Sequence, residues 1–123
     1  MSTSMIRCPL PRCGAENVFE AESCAGCGTP VRGYARLSAH ASYLFNQGLN
    51  AARERRFAAA REHFAAVVYW CPADTEARNA LALAAFELGE TDEARRHWEQ
   101  VRARRPDDPL AGRGLSRIAE DPG

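Results

Sequence analysis

Apolar and small residues in the second part of the chain recur at a spacing of 34 residues. Phe64 lies in register with Trp98, and Pro72 lies in register with Pro106. From residue 38 onward the sequence is rich in alanine, arginine and glutamate, which favour helices. The other pairs in register are Ala60 with Ala94, His63 with His97, Leu49 with Leu83, and Gly48 with Ala82. This period predicts two copies of one helical unit.

Capping residues predict helix ends that agree with this period. Asp74 is a natural N-cap, and Gly89 suits the left-handed position that follows a helix. Thr91 is a candidate cap for the next helix, and Asp108 followed by Pro109 predicts the start of a last one. We place the repeats at 41–74 and 75–108, and a covering helix at 109–120.

This order of landmarks resembles the tetratricopeptide repeat. The resemblance rests on Leu44, Gly48, Phe57, Ala60, Phe64 and Pro72 in the first unit, and on Leu81, Ala82, Gly89, Ala94, Trp98 and Pro106 in the second. Gln47 and Arg78 depart from the family pattern, which has leucine or another large apolar residue there. The resemblance implies a mainly α fold of antiparallel helix hairpins, with about five helices. Since such arrays usually need about three repeats, we expect further support from the N-terminal module or from self-association into a homo-oligomer.

Four cysteines near the N-terminus have the spacing of metal ligands. Cys8 and Cys13 form a C-x4-C pair, and Cys24 and Cys27 form a C-x2-C pair. A glycine follows the second cysteine of each pair, where positive φ lets the loop curl around a metal. The segment has few core candidates, namely Ile6, Leu10, Val18, Phe19 and Val31. Four sulfurs suit structural Zn2+ and leave no open position for catalysis.

Other uses of these cysteines stay open at this point. A disulfide framework would leave one of the five cysteines over, and no apolar signal segment precedes them. Iron in a rubredoxin-like site and a redox-active thiol pair are the remaining alternatives. We expect a reducing, cytoplasmic setting and a soluble chain, because clustered thiols persist there and no apolar run is long enough for a membrane span.

The cysteine segment resembles a bacterial zinc ribbon. The resemblance rests on residues 8–17, which contain Cys8-Pro9, Cys13-Gly14 and Asn17, and on residues 24–31, which contain Cys24, Cys27-Gly28 and Val31. The first loop is two residues longer than the usual family pattern. The resemblance implies short β-strands and two metal-binding knuckles at 1–33, followed at 34–40 by a linker or the start of the first helix.

Charge and motifs weigh against several classes of function. The chain has 16 basic and 16 acidic residues, so its formal net charge is zero and gives no general attraction to nucleic acid or acidic membranes. Two arginine groups, at 53–56 and 102–105, lie near predicted helix ends, where the helix dipole favours positive charge. We find no phosphate-binding loop, catalytic triad or acid–base carboxylate pair, which predicts a non-enzymatic protein.

Three further residues have a functional and a structural interpretation. Cys71 precedes Pro72, and we interpret it as a small buried hydrophobe rather than a reactive thiol or a fifth ligand. His63 and His97 occupy equivalent positions of the two repeats. No carboxylate spacing completes a metal or acid–base site around them, so we interpret both as part of a solvated helix face.

The tetratricopeptide resemblance also implies a concave surface lined by the first helix of each unit. The groove positions that it carries over are Ser42, Phe45, Leu49, Ala52 and Arg53 in the first unit, Glu76, Asn79, Leu83, Phe86 and Glu87 in the second, and Leu110, Arg113 and Arg117 in the last helix. Phe45, Leu49, Leu83 and Phe86 could hold an apolar side chain of a peptide, and Asn79 and Arg113 could hold its backbone or a carboxylate. The alternative is that these residues pack against one another or against the cysteine module.

Three hypotheses of function follow. The first is an adaptor that binds a partner protein or peptide in the groove, with zinc as a structural element. The second is a zinc ribbon associated with nucleic acid or the ribosome. Residues 7–36 contain four arginines against three glutamates and lack interleaved aromatic residues, which disfavours this hypothesis. The third is a redox or metal sensor that uses the cysteines reversibly.

Overall fold

The computed structural model describes residues 5–120, except for the side chains of Tyr34, Leu37 and Ser38. Within this range lie two strands and five helices, which confirms the mainly α fold. The elements are β1 (Met5–Arg7), β2 (Glu16–Val18), α1 (Arg32–Arg53), α2 (Phe57–Trp70), α3 (Thr75–Glu87), α4 (Thr91–Arg104) and α5 (Pro109–Glu120). Residues 1–4 of the predicted 1–33 segment lie outside the described residues. The chain divides into two compact units after His40, within α1.

The first unit is built around a short hairpin and two loops. Strands β1 and β2 are antiparallel, with Ile6 opposite Asn17. Its small core contains Cys8, Cys24 and Val31. The sequence also predicted Leu10 and Val18 as core candidates, and this was wrong, because both side chains are exposed. A three-residue hairpin has too little surface to cover them.

The backbone of this unit becomes helical earlier than its sequence signals suggest. Helix α1 begins at Arg32, so it includes the residues 34–40 that we assigned to a linker or to the start of the first helix. Its first turn contains no acidic residue. The sequence therefore lacks the charge signal that usually marks a helix start.

The second unit consists of helices joined by short turns. Residues 54–56 join α1 to α2, and residues 88–90 join α3 to α4. In both turns the second residue after the helix has positive φ, Arg55 at 61° and Gly89 at 82°. These two residues are 34 positions apart, so the backbone repeats even where the sequence does not.

Two apolar clusters hold the second unit together. In the first, Phe64 and Val67 of α2 pack with Leu81 of α3 and residues of α1. In the second, Trp98 and Val101 of α4 pack with Ile118 of α5 and alanines of α3. Each cluster therefore contains one of the two aromatic residues that define the repeat period. Buried alanines fill the remaining positions and let the helix backbones approach closely.

Two of the three predicted N-caps are present. The Asp74 side chain accepts a hydrogen bond from Ala77 N, and the Asp108 side chain accepts one from Ala111 N. The prediction for Thr91 was wrong. Glu90 occupies the N-cap position of α4 without a side-chain cap bond, and Thr91 is the first helical residue. A tight turn after Gly89, closed by a bond from Glu90 N to Ala85 O, places the start of α4 there.

Candidate functional site

The four predicted metal ligands are brought together in the first unit. Cys8 and Cys13 lie in one loop, which we call the first knuckle (residues 8–14). Cys24 and Cys27 lie in another, which we call the second knuckle (residues 24–29). Bonds from Cys8 N to Ala15 O and from Cys24 N to Thr29 O, both 2.8 Å, close the two loops. Gly14 and Gly28, which end the loops' tight turns, have φ values of 63° and 79°. The predicted left-handed glycines are thus confirmed.

The four sulfurs have the spacing of a tetrahedral metal site. All four Sγ atoms lie within 4.8 Å of one another. Cys8 Sγ is 3.8 Å from Cys27 Sγ, and Cys13 Sγ is 3.6 Å from Cys24 Sγ. Four thiolates at about 2.3 Å from one zinc ion are about 3.8 Å apart, whereas a disulfide needs about 2.05 Å. The arrangement can therefore hold a metal ion between four separate thiols.

Asn17 links the second knuckle to the residues that follow the first knuckle. Its Oδ1 accepts a hydrogen bond of 2.8 Å from Ala25 N, and its Nδ2 donates one of 3.2 Å to Ala15 O. The Asn17 side chain is buried, so an unpaired amide there would be costly, and these bonds satisfy both of its polar atoms. Asn17 thereby fixes the position of one cysteine loop against the other. Gly26 N also donates to Cys24 Sγ at 3.3 Å, as expected of a loop that presents N–H groups to sulfur.

The two knuckles differ in how readily their thiols ionise. Hydrogen bonding, first from the Asn17 side chain, lowers the pKa of Cys24 to about 6. The Thr29 side chain is the main cause of a lowered pKa at Cys27. At Cys8 the backbone bond at Leu10 lowers the pKa, but burial and the neighbouring thiols outweigh it and raise the pKa to about 11. A bound cation favours the thiolate at all four positions.

A second candidate site is an open apolar groove in the helical unit. Its cavity has a volume of about 370 Å³. The lining residues come from α1 (Phe45, Leu49), α3 (Glu76, Asn79, Ala80, Leu83), α4 (Trp98) and α5 (Leu110, Arg113, Gly114, Arg117). The residues of α3 and α5 are spaced at three, four and seven positions, so each set lies on one helix face.

The groove contains five of the six residues predicted to bind a partner: Phe45, Leu49, Asn79, Leu83 and Arg113. Phe86 does not line the cavity, and neither do the other predicted groove positions Ser42, Ala52, Arg53 and Glu87. The Phe86 ring is half-buried, with its centroid 5.9 Å from that of Trp98, and the guanidinium of Arg117 lies 4.8 Å above it. Phe86 thus supports the groove from the side rather than forming its floor.

Asn79 is more buried than a freely accessible contact residue would be. It is 7% exposed, and its Nδ2 donates a hydrogen bond of 3.2 Å to Asp108 Oδ2. Because a carboxylate can only accept, this bond fixes the orientation of the amide. Asn79 Oδ1 is buried and has no hydrogen-bond partner among the described residues. Asn79 therefore links α3 to the cap of α5 as well as lining the groove.

The sequence missed three groove residues, Ala80, Trp98 and Gly114. The sequence identified Trp98 only as a landmark of the repeat. Gly114 lies four positions after Leu110, which is the signal that could have placed it on the same helix face. A Cβ at Gly114 would lie 2.4 Å from Trp98 Cε2, so the glycine lets the indole reach the groove.

The other side chains considered for chemistry have local structural partners. His63 Nδ1 lies 2.8 Å from Ala59 O, and His97 Nδ1 lies 3.2 Å from the Arg78 guanidinium. Burial first, and Arg78 second, lower the pKa of His97. Neither histidine belongs to a group of three or more metal ligands in the part of the chain that the structure describes. Cys71 is half-buried against the first apolar cluster.

Arg78, which departs from the repeat pattern, has a structural role. Its guanidinium donates to Gln100 and, at 3.1 Å, to Pro72 O. These bonds join α3 to α4 and to the loop before α3. An arginine can thus stand where the family usually has an apolar side chain, because its polar end finds acceptors at the edge of the helices.

Helix hairpins that repeat after 34 residues, with one helix of each unit lining a common groove, define a helical repeat scaffold. The tetratricopeptide repeat family matches residues 51–118, more than half of the chain. The chain belongs to this family, whose repeats generally mediate protein–protein interaction and are typically non-enzymatic. Searches of curated proteins and of solved structures gave no significant match. The family match begins after the four cysteines, so their interpretation rests on geometry.

Among residues 5–120, no helix combines the length and apolar character required to cross a lipid bilayer.

Proposed function

We propose that this protein is a non-enzymatic adaptor whose helical groove binds a peptide segment of a partner protein. The observation that carries the proposal is the apolar groove of about 370 Å³, lined by α1, α3 and α5. Leu83 and Leu110, which line it, are 46% and 51% exposed. Large apolar side chains exposed together in a concave surface are typical of a binding site.

The test is capture of partners from the native cell with a groove variant and a matched control. Leu83→Glu together with Leu110→Glu puts charge into the groove at exposed positions, so the fold should be retained. Leu88→Glu is the control, because Leu88 is 41% exposed and does not line the cavity. We expect the double variant to lose proteins that both the wild type and Leu88→Glu recover, as measured by quantitative mass spectrometry.

Equal recovery by the double variant and the control, at equal thermal stability, would contradict a role for the groove. A charge at Phe86 would be unsuitable for this test. The Phe86 ring packs against Trp98 and Arg117, so its loss would damage the apolar cluster and confuse folding with binding.

We further propose that the four cysteines hold one structural Zn2+. The four sulfurs, their mutual distances and the closed ligand set support this metal. A thiolate site also needs reduced cysteines, which is why we place the protein in the cytoplasm. Elemental analysis of protein purified without chelator should find about one zinc per chain. Stoichiometric iron in its place, or no metal, would contradict the assignment.

A further inference from the structure

The charges around the groove are arranged unevenly. Arg113 and Arg117 lie on the α5 side, whereas Glu76 is the acidic residue of the lining and belongs to α3. Within the described residues, neither arginine takes part in an ion pair. The apolar side chains of Leu83 and Leu110 lie in the same lining. A ligand in this groove therefore meets an apolar surface beside two cations that have no carboxylate partner in residues 5–120.

One of these cations is held in place before a ligand arrives. The Arg117 guanidinium lies 4.8 Å above the Phe86 ring, a cation–π arrangement that leaves its N–H groups free to donate at the edge. Phe86 itself is fixed against Trp98. A guanidinium held in this way loses less side-chain entropy when it binds a carboxylate.

We infer that the groove selects a peptide segment in which an apolar side chain lies next to acidic side chains. The apolar side chain enters beside Leu83 and Leu110, and the carboxylates pair with Arg113 and Arg117. This inference rests on the proposed function and adds the chemistry of the partner. The acidic groups are side chains within the segment, so the ligand needs no free C-terminus.

The two kinds of contact have different roles. Exposed ion pairs contribute little affinity each, whereas burial of an apolar side chain contributes more. The leucine contact thus supplies most of the affinity. The arginines supply selectivity, a faster association and a dependence on salt. Arginine suits this role because its guanidinium can form two parallel hydrogen bonds with one carboxylate.

The test uses four fluorescein-labelled peptides with both ends blocked. The first has two central leucines flanked by aspartates. In the second and third, asparagine and lysine replace the aspartates, and in the fourth serine replaces the leucines. Fluorescence anisotropy with the full chain measures each affinity at low and at high salt.

We expect the aspartate peptide to bind about tenfold more tightly than the asparagine peptide at low salt, and the difference to shrink at high salt. The lysine peptide should bind more weakly still, and the serine peptide should lose most of the affinity. Arg113→Glu with Arg117→Glu should reverse the order, so that the lysine peptide binds better than the aspartate peptide.

The control has the same change of charge outside the groove. Arg96→Glu with Arg102→Glu alters two exposed arginines of α4 that do not line the cavity, and should keep the wild-type order of peptides. If the double groove variant is unstable, Arg113→Glu alone is used. Arg113 makes no ring contact or ion pair among residues 5–120, and its change should lower the preference for aspartate severalfold.

Equal affinity for the aspartate and lysine peptides would overturn the inference, as would an unchanged preference in Arg113→Glu. A third outcome is that a neutral or basic peptide binds best and that Leu83→Glu with Leu110→Glu abolishes this binding. That result would overturn the inferred preference for acidic side chains but support the groove as a binding site. If none of the four peptides binds, the inference fails, and the capture experiment judges the proposed function independently.

Discussion

Two glycines of α5, Gly112 and Gly114, illustrate how differently the same residue type acts within one helix turn. A Cβ at Gly114 would lie 2.4–2.6 Å from three ring carbons of Trp98, which is 3% exposed and cannot move aside. A Cβ at Gly112 would meet no atom within 4 Å. Gly114 therefore serves close packing, whereas Gly112 only lowers the helix propensity of α5.

We predict opposite effects of alanine at these positions. Gly114→Ala should lower the free energy of unfolding by about 1–3 kcal/mol, because it forces α4 and α5 apart. Gly112→Ala should raise it by about 0.4–1 kcal/mol, because alanine restricts the unfolded chain and favours the helix. Urea unfolding followed by circular dichroism measures both values. A neutral Gly114→Ala would mean that Trp98 does not pack as described.

The positive φ of Arg55 could not be predicted from the residue type. Gly89 could be predicted at a helix end because glycine has no Cβ and adopts this conformation freely. Arg55 carries no such signal, although it has the same backbone conformation at the equivalent repeat position. Bonds from Arg55 N to Ala52 O and from Arg56 N to Ala51 O impose the turn. The geometry of the helix hairpin, rather than the residue type, therefore determines the positive φ of Arg55.

At the level of elements, one ion pair joins the second helices of the two repeats. Arg61 of α2 donates two hydrogen bonds of 2.6 Å to the Glu93 carboxylate of α4. These bonds are the main reason that the pKa of Glu93 is lowered. Because the folded state favours the ionised form, the pair stabilises the fold above the unfolded pKa of Glu93, and this contribution is lost as the pH falls.

We predict a pH-dependent effect of Glu93→Gln. Near neutral pH the variant should be less stable by about 1 kcal/mol, since Arg61 is partly exposed and solvent screens the pair. The gap should stay constant between about pH 7 and pH 5 and narrow from there to about pH 3, because acid protonates Glu93 first in the unfolded chain, near a pKa of about 4.3, and only at lower pH in the folded protein. Glu99→Gln, at an exposed position of the same helix, should show no such trend. Thermal melts across this pH range measure both, and a gap that widens in acid would contradict the assignment.

Prediction from the sequence succeeded where residues close together in the sequence determine the structure. Asp74 and Asp108 cap α3 and α5 because each side chain accepts from a backbone N–H three residues later. Groove residues of α3 and α5 could be placed because the family resemblance implies which positions face the groove and helical spacing puts those positions on one face. Phe86 and Arg78 could not, because their partners Arg117 and Gln100 lie on other helices. Tertiary partners of that kind leave no local pattern.

At the scale of the whole molecule, the two units depend on different sources of stability. The helical unit has two apolar clusters of its own. The cysteine unit has a core whose buried members are Cys8, Cys24 and Val31. If these cysteines bind zinc, the metal supplies most of the folding free energy of this unit, on the order of 10–16 kcal/mol.

We predict that a chelator unfolds the first unit alone. Trypsin should then cleave after Arg7 and Arg12 much faster than in untreated protein, while the helical circular dichroism signal is largely retained. Cys24→Ser should be cleaved rapidly without chelator. Cys71→Ser is the control, because Cys71 lies outside the cluster, and it should behave like the wild type. Cleavage at the same rate with and without chelator would show that no metal holds these loops.

The two tryptophans differ in exposure, so their fluorescence can report on different parts of the protein. Trp98 is 3% exposed and lines the groove, whereas Trp70 is 52% exposed on α2. A soluble quencher such as iodide should therefore reduce the emission of Trp70 first. In a Trp70→Phe variant the remaining indole emission comes from Trp98 alone, so occupancy of the groove can be followed in unlabelled protein by a shift in emission wavelength.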